Sequence, residues 1–185
     1  TTDIPDHTKG IQLVLEALTD AKHGVLKSLT DIDAVGHRVL HGGDVLFKSC
    51  LVTPEVVKQI EKCCDLGPLH NPANLRGIRA VQEVLPSVPQ VAVFDTAFHQ
   101  TMPAKAYMYA IPKEMYDKWG VRRYGFHGTS HRFVSKRAIE YLGLDPNNSK
   151  LIVAHVGNGA SMSAVVNGKC VDTTMGLTPL EGLVM

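Results

Sequence analysis

The sequence predicts a mixed α/β fold, and three stretches carry that expectation. "QVAVFD", Gln90 to Asp95, is a short and nearly continuous apolar run, as expected of a strand in a sheet covered on both faces. "TPEVVKQIEKCCDLG", Thr53 to Gly67, carries the punctuation of a helix: Thr53 as N-cap, Pro54 at the first helical position and Gly67 as the stop. "VVNGKC" sets Asn167-Gly168 between two alternating runs, the strongest short signal for a hairpin. Apolar strands, capped helices and a hairpin within 185 residues imply one ordinary domain or two small ones, with helices packed on sheets.

Taken in order, "DHTKGIQLVLEALTD" places Ile11, Leu13, Val14, Leu15, Ala17 and Leu18 near one face of a helix that starts at Asp6 or Thr8. "DAVGHRVLHGG" reads as an alternating strand closed by Gly42 and Gly43. After the Thr53 helix, "GPLHNPANL" brings His70 and Asn71 out as a loop, and a further helix runs from about Pro72 to Val84. Beyond the "QVAVFD" strand come "AYMYAIP", a short helix in "KEMYDKWG" and a long helix from about Thr129 to Leu142. "GLDPNNSK" then leads into the strand "LIVAHV". The natural division falls between Ala97 and Pro103, giving units of residues 1–97 and 98–185. No internal repeat, low-complexity tract or flexible linker is present.

Composition excludes several classes. The formal net charge is +1 with both signs interleaved, so no polyanion-binding surface and no nucleic-acid partner is expected. No apolar run approaches the ~20 residues of a membrane span. Cys50, Cys63, Cys64 and Cys170 form no CxxC pair, and adjacent cysteines suit neither a mutual disulfide nor zinc, so free thiols in a reducing compartment are expected. The chain opens without a methionine and stops on the apolar "TPLEGLVM", which reads as a piece of a longer protein.

Four motifs bear polar chemistry. In "AHVGNGAS", glycines between two strands can turn backbone N–H groups toward an anion, with His155 and Asn158 as further donors, although a plain tight turn would look the same. In "RRYGFHGTSHRF", His127 and His131 have zinc-pair spacing, but the glutamate that a zinc protease needs after the first histidine is replaced by Gly128. A helix starting at Gly128 would instead put His127 at its N-terminus, where side chain and helix dipole act on one anion, and would leave His131 structural. Asp95 ends an apolar strand, where a carboxylate demands a cation, a metal ion, a donor or a capping role. Arg38, between two histidines in "GHRVLHGG", wants a planar anion, either a ligand or an internal carboxylate.

Together "GHRVLHGG", "LHNPANL", "VFDTAFHQTMP", "RRYGFHGTSH", "AHVGNGAS" and "TMGLTPLEGLVM" resemble, in order and spacing, the acetate kinase family. The resemblance spans nearly the whole chain. It implies the ribonuclease H-like α/β fold of the acetate and sugar kinase/Hsp70/actin superfamily, with mixed sheets and flanking helices. Residues 1–97 would then be part of an N-terminal acid-binding domain, and 98–185 the start of a nucleotide-binding domain. The implied activity is reversible, direct in-line transfer of the γ-phosphoryl of ATP to acetate with Mg²⁺, in a cytoplasmic homodimer without nucleic-acid or membrane partners. By the same resemblance Arg38 binds the acid carboxylate, Asp95 is the essential aspartate and His127 stabilises the phosphoryl group in transit. Leu40, Leu69, Phe126 and Pro179 line the methyl pocket, and His155, Val156, Gly157, Asn158 and Gly159 form the phosphate loop.

No dedicated metal ligand is assigned. Leu40 stands where the family commonly has valine, which favours a small acid. The family's first phosphate-binding strand, a second catalytic arginine, the adenosine contacts and a late metal-binding glutamate are not in this sequence, so the piece alone is expected to lack kinase activity. The competing readings are a propionate or butyrate kinase, and a non-catalytic nucleotide-binding or dimerisation module. A sugar kinase fits less well, because Arg38 suits a carboxylate better than a neutral polyol.

Overall fold

The computed structural model describes residues 3–185. Helix α1, His7–Leu18, begins where the Asp6 carboxylate accepts a hydrogen bond from the Lys9 amide at 2.8 Å. Its apolar side, with Leu15, packs on Val81 and Leu85 of the chain that follows. Strands β1, Val35–Val39, and β3, Gln90–Phe94, run parallel in the register Val35–Gln90 to Val39–Phe94. The two-residue strand β2, Cys50–Leu51, pairs antiparallel on the far side of β3.

Helices α2, Pro54–Lys62, and α3, Asn71–Val84, connect β1 to β3 and cover one face of this sheet. The core beneath them is Val39, Ile60, Leu75, Ile78, Ala92 and Phe94, all buried. Thr53 caps α2 as expected, but the helix ends at Lys62, not at Gly67. Beyond Cys63 the chain tightens into turns, and the Gly67 amide returns to the Cys63 carbonyl at 3.1 Å. Nor is Asn71 in a loop. It opens α3 and is fully buried. Strand β3 is covered on one face only: Gln90, Ala92 and Phe94 are buried, while Val91 and Val93 stay half-buried. The other face is open there because Val93 faces a cavity.

After β3 a 3₁₀ turn at Ala97–Thr101 leads to the short helices α4, Ala104–Tyr107, and α5, Glu114–Trp119. Helix α6, Gly128–Leu142, follows, and ends on the left-handed Gly143 at φ 63°. Strands β4, Lys150–Val156, β5, Ala160–Val166, and β6, Lys169–Thr173, form an antiparallel meander in that order. The β5–β6 turn has φ 53° at Asn167 and 74° at Gly168, so both central residues are left-handed, as a type I′ hairpin turn requires. The 3₁₀ turn bonds to this second sheet through the Thr101 hydroxyl, which donates to the Cys170 carbonyl at 2.7 Å. Among the described residues no helix is long and apolar enough to cross a membrane.

Candidate functional site

The parallel pairing of β1 with β3 fixes the first half of the site. Side chains alternate across a sheet, so Gly36, Arg38 and Leu40 share a face with Val93 and Asp95, and all five line one cavity of about 1020 Å³. Asp95 is 1% exposed. Arg38 meets it bidentately, Nε to Oδ1 at 2.9 Å and Nη2 to Oδ2 at 2.6 Å, and Asp95 holds the guanidinium pKa above its ordinary value. The cation that a buried carboxylate demands is therefore Arg38. The arginine side chain remains 61% exposed, so it is half anchored and half available to the cavity.

The second half of the site is hung on the same carboxylate. His127 occupies the N-cap of α6 with φ 58°, a left-handed conformation that non-glycine residues rarely adopt. Its amide donates to Asp95 Oδ2 at 3.3 Å, and the Gly128 amide donates to the Asp95 carbonyl at 3.0 Å. Any side chain at 128 would come within 2.2 Å of that carbonyl oxygen, which explains the glycine. The expected anion at the helix N-terminus is thus served first within the chain. The amides of His127 and Gly128 are engaged with Asp95, while His127, Thr129 and Ser130 line the cavity.

The His127 ring lies between β5 and β4. Its Nδ1 is 2.8 Å from the Ser161 hydroxyl, and its face stacks on His155 at 4.1 Å with the planes 22° apart. His155 in turn places Nδ1 2.9 Å from the Ser130 hydroxyl on α6. Burial, followed by the neighbouring His155, lowers the His127 pKa below the usual imidazole value, with Asp95 opposing. A neutral ring at pH 7 follows.

In the glycine turn, the Gly157 amide closes on the Gly159 carbonyl at 2.9 Å, so that donor stays within the loop. His155, Asn158 and Gly159 line the cavity, while Val156, at 77% exposure, and Gly157 do not. The apolar wall holds Leu40, Leu69, Phe126 and Pro179, joined by Leu66 and Met175. Phe126 is buried; Leu69 is 86% exposed and projects from the turn ahead of α3.

Arg38, Asp95, His127, His155, Asn158 and Gly159 are therefore brought to one cavity together with the four apolar residues expected beside them. Among the described residues Asp95 is the one carboxylate on its lining. Mg²⁺ is usually held by one or two carboxylates, waters and substrate phosphates. With both Asp95 oxygens on Arg38, the residues present do not make a metal site by themselves.

Sequence reading missed the support behind these groups. His131 is indeed structural: it is fully buried, with Nε2 2.7 Å from Ser161 Oγ and Nδ1 2.9 Å from Ser163 Oγ. Asn74 accepts from the Leu40 amide and Asn71 from the His41 amide, each at 3.0 Å, so two asparagines one turn apart hold the end of β1. The available signal was serine at alternate positions of "ASMSAVV", polar residues on what the period marks as an inward face.

A family model described as the acetokinase family matches residues 1–185. The chain is 67% identical over 182 residues to an acetate kinase of Agathobacter rectalis, a match covering 98% of this chain and 46% of that protein. Among solved structures, acetate kinase from Porphyromonas gingivalis superposes with a TM-score of 0.94 at 55% identity, covering 100% of this chain and 46% of that one. A propionate kinase from Francisella tularensis gives 0.88 at 49% identity over 96% and 44%. The chain spans less than half the length of the relatives it matches.

Proposed function

The chain belongs to the acetokinase family, and from that premise we propose that the intact protein transfers the γ-phosphoryl of ATP to acetate, reversibly, giving acetyl phosphate and ADP. The observation that carries this reading is the convergence of Arg38, Asp95, His127 and the glycine turn on a single cavity with an apolar wall.

A carboxylate nucleophile is ionised at neutral pH, its unperturbed pKa being near ~4, so the site needs no general base. What it needs is alignment and neutralisation of the charge spread over the migrating group. Arg38, fixed by Asp95 on one edge, offers its remaining edge to the acid carboxylate. His127, neutral and held at the helix N-cap, donates to the phosphoryl oxygens. Asn158 and the Gly159 backbone face the nucleotide phosphates. Leu40, Leu69, Phe126 and Pro179 enclose the methyl group. Magnesium, when bound with the nucleotide, supplies charge neutralisation on its phosphates.

On this reading residues 1–97 contribute the acid side and 98–185 the start of the nucleotide side. The two three-stranded sheets support that division. The family resemblance also supports a cytoplasmic homodimer as the form of the intact protein. The four free thiols suit that compartment, Cys63 being pushed up to about 11 and Cys170 to about 12 by burial.

Replacing His127 by alanine in the intact protein tests the reading. Loss of one transition-state donor lowers kcat about 10²–10³-fold; unchanged turnover would overturn the assignment. Turnover of the parent on two-, three- and four-carbon acids, highest on acetate, separates it from the propionate reading.

A further inference from the structure

Behind the cavity, a chain of four polar side chains runs from His127 into the interior of the second sheet. The His127 Nδ1 lies 2.8 Å from Ser161 Oγ. The same oxygen lies 2.7 Å from His131 Nε2, and His131 Nδ1 lies 2.9 Å from Ser163 Oγ. His131, Ser161 and Ser163 are at most 1% exposed. We propose that Ser163, His131 and Ser161 are positioning residues that fix the tautomer of His127, so that its Nε2 always presents a proton to the cavity. The proposal rests on the reading of His127 as a donor to the transferring phosphoryl group.

The direction of the chain follows from counting protons. Each hydroxyl has one hydrogen to give, and each neutral imidazole has one N–H and one lone pair. Among the described residues the Ser163 hydroxyl has a single partner, His131 Nδ1. If that nitrogen carried the proton, the Ser163 O–H would be buried with no acceptor, which native interiors avoid. Ser163 therefore donates to His131 Nδ1, and His131 must carry its proton on Nε2. That N–H can only donate to Ser161 Oγ. Ser161 then spends its hydrogen on His127 Nδ1, the one other group within reach. With Nδ1 accepting, the His127 proton sits on Nε2.

That atom points the right way. It faces the glycine turn so closely that a side chain at 159 would approach within 2.9 Å of it. Neutrality, which the count requires, is consistent with burial lowering both rings, His131 to about 4. The reversed chain would leave a bare Nε2 lone pair aimed at phosphate oxygens, a repulsive contact where a donor is needed. The tautomer thus matters to turnover while leaving binding of the acid at Arg38 untouched.

Nitrogen-15 NMR of histidine-labelled intact protein at neutral pH reads the tautomer directly, with the His127 signals identified by their loss in His127→Gln. A protonated Nε2 and an unprotonated Nδ1 are expected; a protonated Nδ1 overturns the relay, and the tautomer is read on the unsubstituted protein. His131→Met removes the donor to Ser161, and kcat is expected to fall on the order of tenfold, with KM for the acid within about twofold. His131→Gln restores an N–H near the same point and should recover most of the loss. Turnover in His131→Met within about twofold of the parent would overturn the positioning role; if that variant does not fold, the parent spectrum decides alone. Unchanged turnover in His127→Ala beside the expected tautomer would remove the kinase role of His127 and leave the relay standing.

Discussion

The two sheets each have three strands and are stabilised by different physics. Under β1, β2 and β3 the interior is aliphatic and aromatic: Val39, Ile60, Leu75, Ile78, Ala92 and Phe94. Under β4, β5 and β6, Val153, Val165 and Ile139 share the interior with His99, His131, Ser161, Ser163 and Thr173. The first interior is held by apolar burial, which has no direction and asks chiefly for volume. The second is held in part by hydrogen bonds, which ask for a particular atom at a particular point. The polar interior lies directly behind His127 and the glycine turn, where chemistry needs groups held in one orientation. The aliphatic interior lies on the side of its sheet away from the cavity.

Acid should separate the two regions most strongly. Burial lowers His99 and His131 to about 4, whereas an unfolded histidine titrates near 6.5. Between those values the unfolded chain binds protons that the folded chain refuses, so stability rises with pH through that window and is lost as pH falls from about 6.5 to about 4. The loss is on the order of 3 kcal/mol for each ring. His41, also lowered to about 4, sits at the seam, packed on Tyr124 and Phe126. Hydrogen exchange measured down this window should show protection failing in β4–β6 and α6 before β1–β3. Simultaneous loss in both sheets would break the contrast.

A polar exception within the first region sharpens it. Asn71 accepts from the His41 amide and donates to the His41 and Ile60 carbonyls, at 3.0, 3.0 and 3.3 Å. Asn71→Leu orphans the His41 amide and carbonyl, at a cost of about 3 kcal/mol, while the Ile60 carbonyl keeps the Cys63 amide at 3.1 Å. Chemical denaturation of the intact protein measures it. A change below about 0.5 kcal/mol would mean that water replaces the side chain, and that this clamp is not what holds the end of β1.

The two kinds of interior were unequally legible in sequence. Capping at Asp6 and Thr53, the Asn167-Gly168 turn and the apolar run into Asp95 are local signals, and each stands where it was expected. The end of α2 was not legible, because it is set by a tertiary partner: Asn71 takes the Ile60 carbonyl, and the chain turns five residues before Gly67. Arg38 and Asp95 could each be read as needing an opposite charge, but their pairing spans 57 positions and depends on the parallel register of β1 and β3. Ser161, Ser163 and His131 were the least visible. Only the fold makes a ring 32 positions away the sole partner, among the described residues, of the Ser163 hydroxyl.

The smallest effect discriminates best, because it compares two gentle changes of similar cost. Ile78→Val removes one methylene from the aliphatic core, where neighbours can close part of the gap, and should cost about 0.5–1.5 kcal/mol. Ser163→Ala removes one hydroxyl from the polar interior and should cost about 1 kcal/mol, the worth of a single neutral hydrogen bond. By denaturation alone the two variants would look alike. Turnover should tell them apart. Ile78 lies in the core beneath α2 and α3, on the opposite face from the cavity residues, so its loss is felt as stability and kcat is unchanged. Ser163 sets the proton of His131, and through Ser161 that of His127, so its loss weakens the bias on the reacting ring and kcat falls several-fold at equal stability. Equal turnover in both variants, measured under conditions where both are fully folded, would show that the two interiors differ in composition but not in their reach to the cavity.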